Sequence, residues 1–249
     1  MSTMQSELSI FNKFNFVRKP VGVKFLIKRP DGIHQLEKSL AFCEMLKEAQ
    51  ETDPFYAVKE NFECKVGHLI LGMEESDELF ESGAVGPMLG IFDEPRNNRR
   101  IYHHIPVLSK NTVQYVAFSS LDKLTFEPDV FIVMADIGQA DIILRAVTYS
   151  TGKMWNSKST LVVGCSWLYI YPFVSGELNY LITGLQHGMK ARQLFPEGMF
   201  LISIPYDLLP VIIKNLHTIK WELPQYHKGK DAHVQNMKRI VSELSGENR

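Results

Sequence analysis

The alternation of apolar and polar positions along the chain predicts strands that are interspersed with helices. Residues 20–27 alternate, with Val21, Val23 and Phe25 on one face, and this period of two is typical of a half-buried strand. Residues 128–136 form an almost continuous apolar run after a proline. Such a run predicts a central strand that is buried on both faces.

Other segments complete this pattern. Further strands are predicted at residues 113–121, 159–165, 178–183 and 198–205. Helices are predicted at residues 36–50, 65–73, 77–82, 139–149, 206–219 and 231–246, and residues 82–90 are predicted to be a glycine-bearing loop that covers a site or connects two elements. Because strands and helices are mixed along the chain, we expect an α/β protein of the mixed α+β type, with a central mixed sheet flanked by helices.

The length of the chain, 249 residues, is sufficient for one domain with a large core. We predict a single α/β domain at residues 1–222. Residues 223–249 are predicted to form a polar connection and a C-terminal helix, because the segment that begins at residue 222 is polar and the residues after 230 again show helical periodicity.

Composition and charge exclude several classes of protein. Lys and Arg number 27 against 28 Asp and Glu, and this balance argues against a nucleic-acid partner. The N-terminal residues show no basic segment followed by an apolar run, so no secretion signal is visible. The longest uncharged stretch, residues 159–176, is interrupted by Gly164, Ser166 and Pro172. We therefore expect a cytoplasmic protein with no membrane partner.

The three cysteines are the first candidates for chemistry. They are few, odd in number and widely spaced, which does not suit a disulfide framework. Cys43 lies on the apolar stripe of a predicted helix. Cys64 lies near a predicted helix start, where the helix dipole favours a thiolate, and His68 follows one turn later. Cys165 ends a predicted strand; for each of the three, an inert buried thiol is the alternative interpretation.

A second candidate site lies at the ends of predicted strands. Asp136 and Cys165 each end a predicted strand, and ligands of open α/β sheets bind beyond the C-terminal ends of the strands. If the two strands are parallel and adjacent, Asp136 and Cys165 share one rim of the sheet.

The turn after the strand at residues 178–183 carries glycines and cations. Gly184 and Gly188 flank His187, and Lys190 and Arg192 follow. Backbone N–H groups and two cations at such a turn could bind an anion. A turn whose glycines adopt positive φ angles is an equally good interpretation.

Several segments, taken in order, resemble the DUF169 family of prokaryotic proteins. They are residues 18–26, 41–49, 64–73, 128–152, 164–165 and 202–209, and the longest block, 128–152, is the most specific. The family has no assigned function, so the resemblance implies no reaction. It does imply cysteines at the places of Cys43, Cys64 and Cys165.

The chain departs from the family pattern at one turn. The family resemblance implies a Cys-x-Gly-Cys-Arg-like turn where this chain has residues 184–192. With Gly188 as the shared glycine, Gln186 and Met189 stand in the places of the thiols, and Lys190 in that of the arginine. If the family binds a cluster through this turn, the chain has lost ligands or His187 replaces them.

Three hypotheses follow, and the sequence does not decide whether the protein is an enzyme. In the first, Cys43, Cys64 and Cys165 bind an iron–sulfur cluster or another thiolate-bound metal, with His68, His187 or an open position as the fourth ligand.

In the second hypothesis, a non-metal enzyme or binding protein holds a small anionic ligand at the rim formed by Asp136, Cys165 and the Gly184–Gly188 turn. Lys24, Lys190 or Arg192 would neutralise its charge. In the third, the protein is an accessory or interaction protein without chemistry of its own. The aromatic run at residues 167–173 would then be a contact of a homo-oligomer, although core packing is the favoured interpretation of such a run.

Overall fold

A seven-stranded mixed sheet lies at the centre of the part of the chain that the structure describes. This structure is a computed structural model that describes residues 7–245. The strand order is β2-β3-β4-β1-β5-β7-β6. The strands are β1 (Val21–Leu26), β2 (His34–Gln35), β3 (Phe55–Ala57), β4 (Tyr115–Ser120), β5 (Val130–Ala135), β6 (Asn179–Ile182) and β7 (Phe200–Pro205). Residues 1–6 and 246–249, where the N-terminal segment begins and the predicted C-terminal region ends, lie outside the described residues.

The helices differ widely in length. They are α1 (Phe42–Glu51), α2 (Lys65–Ile70), α3 (Glu78–Glu81), α4 (Val85–Met88), α5 (Pro95–Tyr102), α6 (Ile137–Thr151), α7 (Tyr171–Ser175), α8 (His187–Ala191), α9 (Leu209–Thr218) and α10 (Gly229–Ser245). A π-helical turn, Ser166–Ile170, directly precedes α7. Within the described residues, no helix has both the length and the apolar composition needed to cross a membrane.

The sheet is mostly antiparallel. β2 and β3 pair in parallel, while β1 pairs antiparallel with β4 and β5, β3 with β4, and β7 with β5 and β6. The predicted fold class, mixed α+β with a central mixed sheet, is therefore confirmed. The division into residues 1–222 and 223–249 stays a prediction.

Each face of the sheet carries its own core, and β5 contributes to both. Its six residues are all buried. Phe131, Val133 and Ala135 pack in the core shared with α6 and α9, which we call the helical layer. Val130, Ile132 and Met134 pack in the core on the opposite face, with α1 and the π-helical turn. We use the name site layer for α1, α2, α4, α5, α8, the π-helical turn and the segment 159–165.

The helical layer is regular because its helices have clear ends and paired polar groups. The Asp136 carboxylate accepts a hydrogen bond from the Gln139 N–H (2.8 Å), and the Gln139 side chain accepts one from the Asp136 N–H (2.9 Å). This capping box starts α6, and Gly152, with φ +65°, ends it. Asn215 on α9 donates to the Ala146 carbonyl (2.8 Å), which ties the two helices together.

The predicted strand at residues 159–165 is wrong. The segment has no ladder partner, and its groups pair elsewhere: the Leu161 carbonyl accepts a hydrogen bond from the His187 N–H (2.8 Å), and the Thr160 hydroxyl accepts one from the Trp167 indole (2.8 Å). Of its apolar residues, Val162 is buried, Val163 is half-buried and Leu161 is 41% exposed. The apolar run therefore forms an irregular segment rather than the strand that its pattern predicts.

One other prediction needs correction, and one favoured interpretation is supported. Residues 82–90, predicted to be a loop, contain the short helix α4. The aromatic run at residues 167–173 is not an open contact surface, because Trp167 to Pro172 are buried and only Phe173 is exposed. Its packing supports the core interpretation rather than an oligomer contact.

Candidate functional site

The three cysteines line one pocket of about 390 Å³. Cys43 is the second residue of α1, Cys64 immediately precedes α2, and Cys165 immediately precedes the π-helical turn. The fold therefore brings three segments that are distant in sequence together at their helix starts. We call this cavity the three-cysteine pocket; Gln186, His187 and Arg192 also line it.

Cys43 and Cys165 form a hydrogen-bonded thiol pair. The hydrogen bond from Cys165 lowers the pKa of Cys43 below its ordinary value, and the charge of Arg192 acts in the same direction against the effect of burial. The same hydrogen bond, together with burial, raises the pKa of Cys165 well above its ordinary value. Cys43 is therefore the thiol of this pair that ionises first.

Cys64 is held by backbone groups. Its sulfur accepts a hydrogen bond from the Phe42 N–H (3.4 Å), and its carbonyl accepts one from the Gly67 N–H (3.0 Å). Burial nevertheless raises the pKa of Cys64 above its ordinary value. In this arrangement the Cys64 thiol is protonated at neutral pH.

The side chain of Tyr169 lies beside the thiols. Its ring stacks on that of Phe42 with centroids 4.2 Å apart, and its hydroxyl donates to the Phe42 carbonyl (3.3 Å). Burial raises the pKa of Tyr169 well above its ordinary value, so this phenol stays protonated. It fixes the first turn of α1 and thereby the position of Cys43.

The backbone leading into Cys165 is irregular. Val163 has φ +55°, a conformation that is an outlier for a β-branched residue. The π-helical turn follows, and the Ser166 hydroxyl donates to the Pro106 carbonyl. Strained backbone and π-helical turns are frequent at functional sites.

The predicted anionic rim does not form. Asp136 caps α6 in the helical layer, whereas Cys165 lies at a helix start in the site layer. β5 is antiparallel to both of its neighbours, and residues 159–165 are not a strand. The two conditions for a shared rim, parallel and adjacent strands, are both absent.

The predicted cations are engaged with other groups. Lys24 donates to the Glu127 carbonyl (2.7 Å), and the Lys190 ammonium lies 3.0 Å from a Glu197 carboxylate oxygen. Neither lysine lines the pocket. Arg192 does, but its guanidinium nitrogens lie 3.8 Å from Glu44 and 3.4 Å from Glu63.

The two glycines of the predicted turn differ. Gly184 has φ +94° and lies outside the pocket lining, so it is a conformational glycine. Gly188 lies within α8 without a positive φ and lines the pocket together with His187. The structure thus brings His187, Gly188 and Arg192 to the cysteines but leaves Gly184 and Lys190 outside.

The thiols are not arranged as a metal centre. Among residues 7–245, no group of three or more His, Cys, Asp or Glu side chains is disposed to hold a metal ion. His68, one predicted ligand, has both ring nitrogens occupied, by Glu74 (3.0 Å) and by the Phe62 carbonyl (3.0 Å). The chemistry of three sulfur donors still suits a thiophilic metal, but binding would require the thiols to leave their present hydrogen bonds.

Sequence reasoning missed Gln186 as a member of the site. Its side chain is 2% exposed and lines the pocket, and its Nε2 donates to the Ser159 hydroxyl (3.2 Å). Its Oε1 has no hydrogen-bond partner within the described residues. The one sequence signal was its place in the turn where the family resemblance implies a thiol.

The chain belongs to the DUF169 family, described as "Uncharacterised ArCR"; residues 9–215 match. The matched region contains all three cysteines and both layers of the fold. No match to the chain was found among curated proteins or among solved structures.

Proposed function

We propose that the three-cysteine pocket binds a thiolate-ligated metal, either an iron–sulfur cluster or a single thiophilic ion. One observation carries this proposal: three cysteines that are far apart in sequence line the same pocket. Thiolates are the ligands that select iron–sulfur clusters and zinc.

The electrostatics of the pocket support metal binding. Metal ligation requires thiolates, and Cys43, with its lowered pKa, supplies the first. Arg192 lies close enough to act on all three sulfurs and would offset their negative charge. The metal would displace the protons of Cys64 and Cys165, whose pKa values are raised, so we expect binding to weaken as the pH falls.

The fourth ligand position has two candidates in this chain. His187 begins α8 and lines the pocket, and an open position is the alternative. Gln186 and Met189, which stand where the family resemblance implies thiols, also line the pocket. A family member with those thiols would present them to the same cavity. This supports a metal site that the family shares and in which this chain has fewer sulfur ligands.

Free thiols also bear on the compartment. Cys43, Cys64 and Cys165 are all free in this structure. We propose a reducing compartment such as the cytoplasm, because neighbouring thiols persist there and are oxidised elsewhere.

The test is metal and sulfide analysis with a UV–visible spectrum, on protein purified and reconstituted without oxygen. A cluster would give near-stoichiometric iron and sulfide and a broad absorption band near roughly 400 nm. A single thiophilic ion would give one equivalent of metal without sulfide. Folded protein that remains metal-free after reconstitution would contradict the proposal.

Variants locate the metal. Cys64→Ala should abolish metal binding, and His187→Ala should reduce it if the imidazole is the fourth ligand. His34→Ala is the matched control, because His34 is exposed on β2 and does not line the pocket. Equal metal content in Cys64→Ala and wild type would place the metal elsewhere.

A small anionic ligand is the second candidate, supported by the presence of Arg192 in the pocket wall. It is weaker because Glu44 and Glu63 already lie beside that guanidinium. Calorimetric titration of metal-free protein with inorganic phosphate tests it. Saturable binding that is lost in Arg192→Gln, in a protein that takes up no metal, would favour the anion over the metal.

A further inference from the structure

The three-cysteine pocket is larger than a metal site requires, and much of its wall is apolar. Its volume, about 390 Å³, falls in the range in which small-molecule pockets occur, roughly 300–1,000 Å³. Beside the thiols, the apolar part of the wall includes Val66, Val85, Leu89, Ile91, Tyr102 and Val162. Leu89 lines the cavity and is 55% exposed, so it lies where the cavity meets solvent.

A single buried polar atom in this wall lacks a partner. The Gln186 Oε1 is inaccessible to solvent and accepts no hydrogen bond within residues 7–245, while the amide nitrogen of the same side chain is engaged with Ser159. A buried acceptor without a donor is destabilising. A ligand N–H or O–H that pairs with this oxygen, after the Gln186 side chain turns toward the cavity, would remove that destabilisation.

The charge of the pocket disfavours an anionic ligand. Arg192 is the cation of the wall, and two carboxylates, those of Glu44 and Glu63, lie within 4 Å of it. A ligand in the apolar part therefore meets no net positive charge at Arg192. A neutral molecule is the best match to these surroundings.

We propose that the apolar part of the three-cysteine pocket binds a neutral small organic molecule. Its apolar body packs against Leu89 and Ile91, and its hydrogen-bond donor pairs with the Gln186 Oε1 once that side chain has turned toward the cavity. The α4 helix, Val85–Met88, and the residues that follow it cover the bound molecule. This goes beyond metal binding and does not depend on it, because the groups that carry it are not thiols.

The experiment uses N-phenyl-1-naphthylamine, a neutral fluorescent probe with an apolar body and one N–H donor. We expect a saturable fluorescence increase with one equivalent of probe bound per chain. Leu89→Glu should weaken binding at least tenfold, because it places a carboxylate in the apolar wall. Met88→Glu is the matched control: Met88 is the preceding residue, is 71% exposed and does not line the pocket, so binding should change less than twofold.

A second variant tests the polar contact. Gln186→Leu keeps a similar volume and removes the acceptor, so it should weaken the probe several-fold but leave unchanged the affinity for the N-methylated probe, which has no N–H. Circular dichroism establishes that each variant is folded. Non-saturable binding, or equal effects of Leu89→Glu and Met88→Glu, would overturn the proposal.

The metal proposal and this one fail separately. Cys64→Ala should lose the metal and retain the probe. Probe binding in a protein that takes up no metal would refute only the metal site, and metal uptake without saturable probe binding would refute only the organic ligand.

Discussion

The two faces of the sheet differ in how regular their covering layers are. In the helical layer, α6 spans fifteen residues and α9 ten; α6 has a capping box, and Asn215 ties the two helices together. In the site layer, α1 spans ten residues and α5 eight, but α2, α4 and α8 span only four to six, and a π-helical turn and an irregular segment complete the layer. The helical layer therefore supplies regular packing, and the site layer supplies the cavity.

Unpaired polar atoms show the same difference. Within the described residues, buried side-chain atoms without a hydrogen-bond partner belong to Gln50, Asn98, Ser120 and Gln186. Three of these four residues lie on α1, α5 or next to α8, and none lies on α6 or α9. Most of the unpaired buried polar side chains therefore lie in the site layer rather than in the helical layer.

The largest expected effect tests whether stability is concentrated in the helical layer. Ile143 on α6 is fully buried, so Ile143→Ala should lower the free energy of unfolding by about 2–5 kcal/mol. Val66 in the pocket wall is only partly buried, and Val66→Ala should cost about 1 kcal/mol or less. Urea unfolding followed by circular dichroism measures both; equal losses would show that the layers do not differ in stability.

The next prediction concerns two glycines of the site layer. A Cβ at Gly67 would lie 2.6 Å from the buried Phe62 ring, so Gly67→Ala should destabilise the protein by about 1–3 kcal/mol and displace Cys64. A Cβ at Gly188 meets no atom within 4 Å, so Gly188→Ala, inside α8, should be neutral or stabilise by up to about 1 kcal/mol. Thermal unfolding of the two variants measures both changes in stability. A loss of stability in Gly188→Ala would contradict the geometry of α8.

A smaller effect distinguishes a helix cap from a ligand. Asp136→Ala removes the cap of α6 and should cost about 1 kcal/mol, whereas Asp136→Asn should cost much less, because asparagine is an equally good cap. Neither change should alter metal content or probe binding. A loss of metal or probe binding in either variant would show that Asp136 belongs to the binding site.

The smallest effect is a difference between two thiols in metal-free protein. Because the thiolate is the reactive form, the pH midpoint of alkylation follows the pKa of each thiol. The midpoint should lie below the ordinary thiol value for Cys43, which accepts the hydrogen bond from Cys165, and above it for Cys64, which is buried. Mass spectrometry of each cysteine at a series of pH values measures this. Cys165→Ala should raise the Cys43 midpoint. An unchanged midpoint would show that the hydrogen bond from Cys165 does not lower the pKa of Cys43.

The same comparison explains what the sequence could predict. The strands β1, β4, β5, β6 and β7 and the helices α6 and α9 lie within or close to their predicted ranges, because apolar periodicity follows directly from burial on a regular element. The segment 159–165 has a similar apolar run, but its backbone pairs with a residue that is distant in sequence: the Leu161 carbonyl accepts a hydrogen bond from the His187 N–H. No local pattern distinguishes that contact from strand pairing.

The candidate site was predictable only in part. Cysteine is rare and chemically distinctive, so Cys43, Cys64 and Cys165 could be selected from the sequence, and the structure places them in one pocket. The rim with Asp136 was wrong because strand direction depends on long-range pairing. Gln186 could not be identified as a site residue, because an unpaired amide oxygen becomes visible only once every neighbour is placed.

The left-handed backbone at Val163 makes the segment beside Cys165 less stable than an unstrained backbone would be. That conformation costs a non-glycine residue roughly 1–2 kcal/mol, and Val163→Gly would release it. The same change would loosen the peptide that directs Cys165 into the cavity. Because the Val163 side chain also packs against the core of the site layer and lines the pocket, glycine at this position would exchange released strain for lost packing. Any gain in heat resistance from that exchange would leave Cys165 less firmly held.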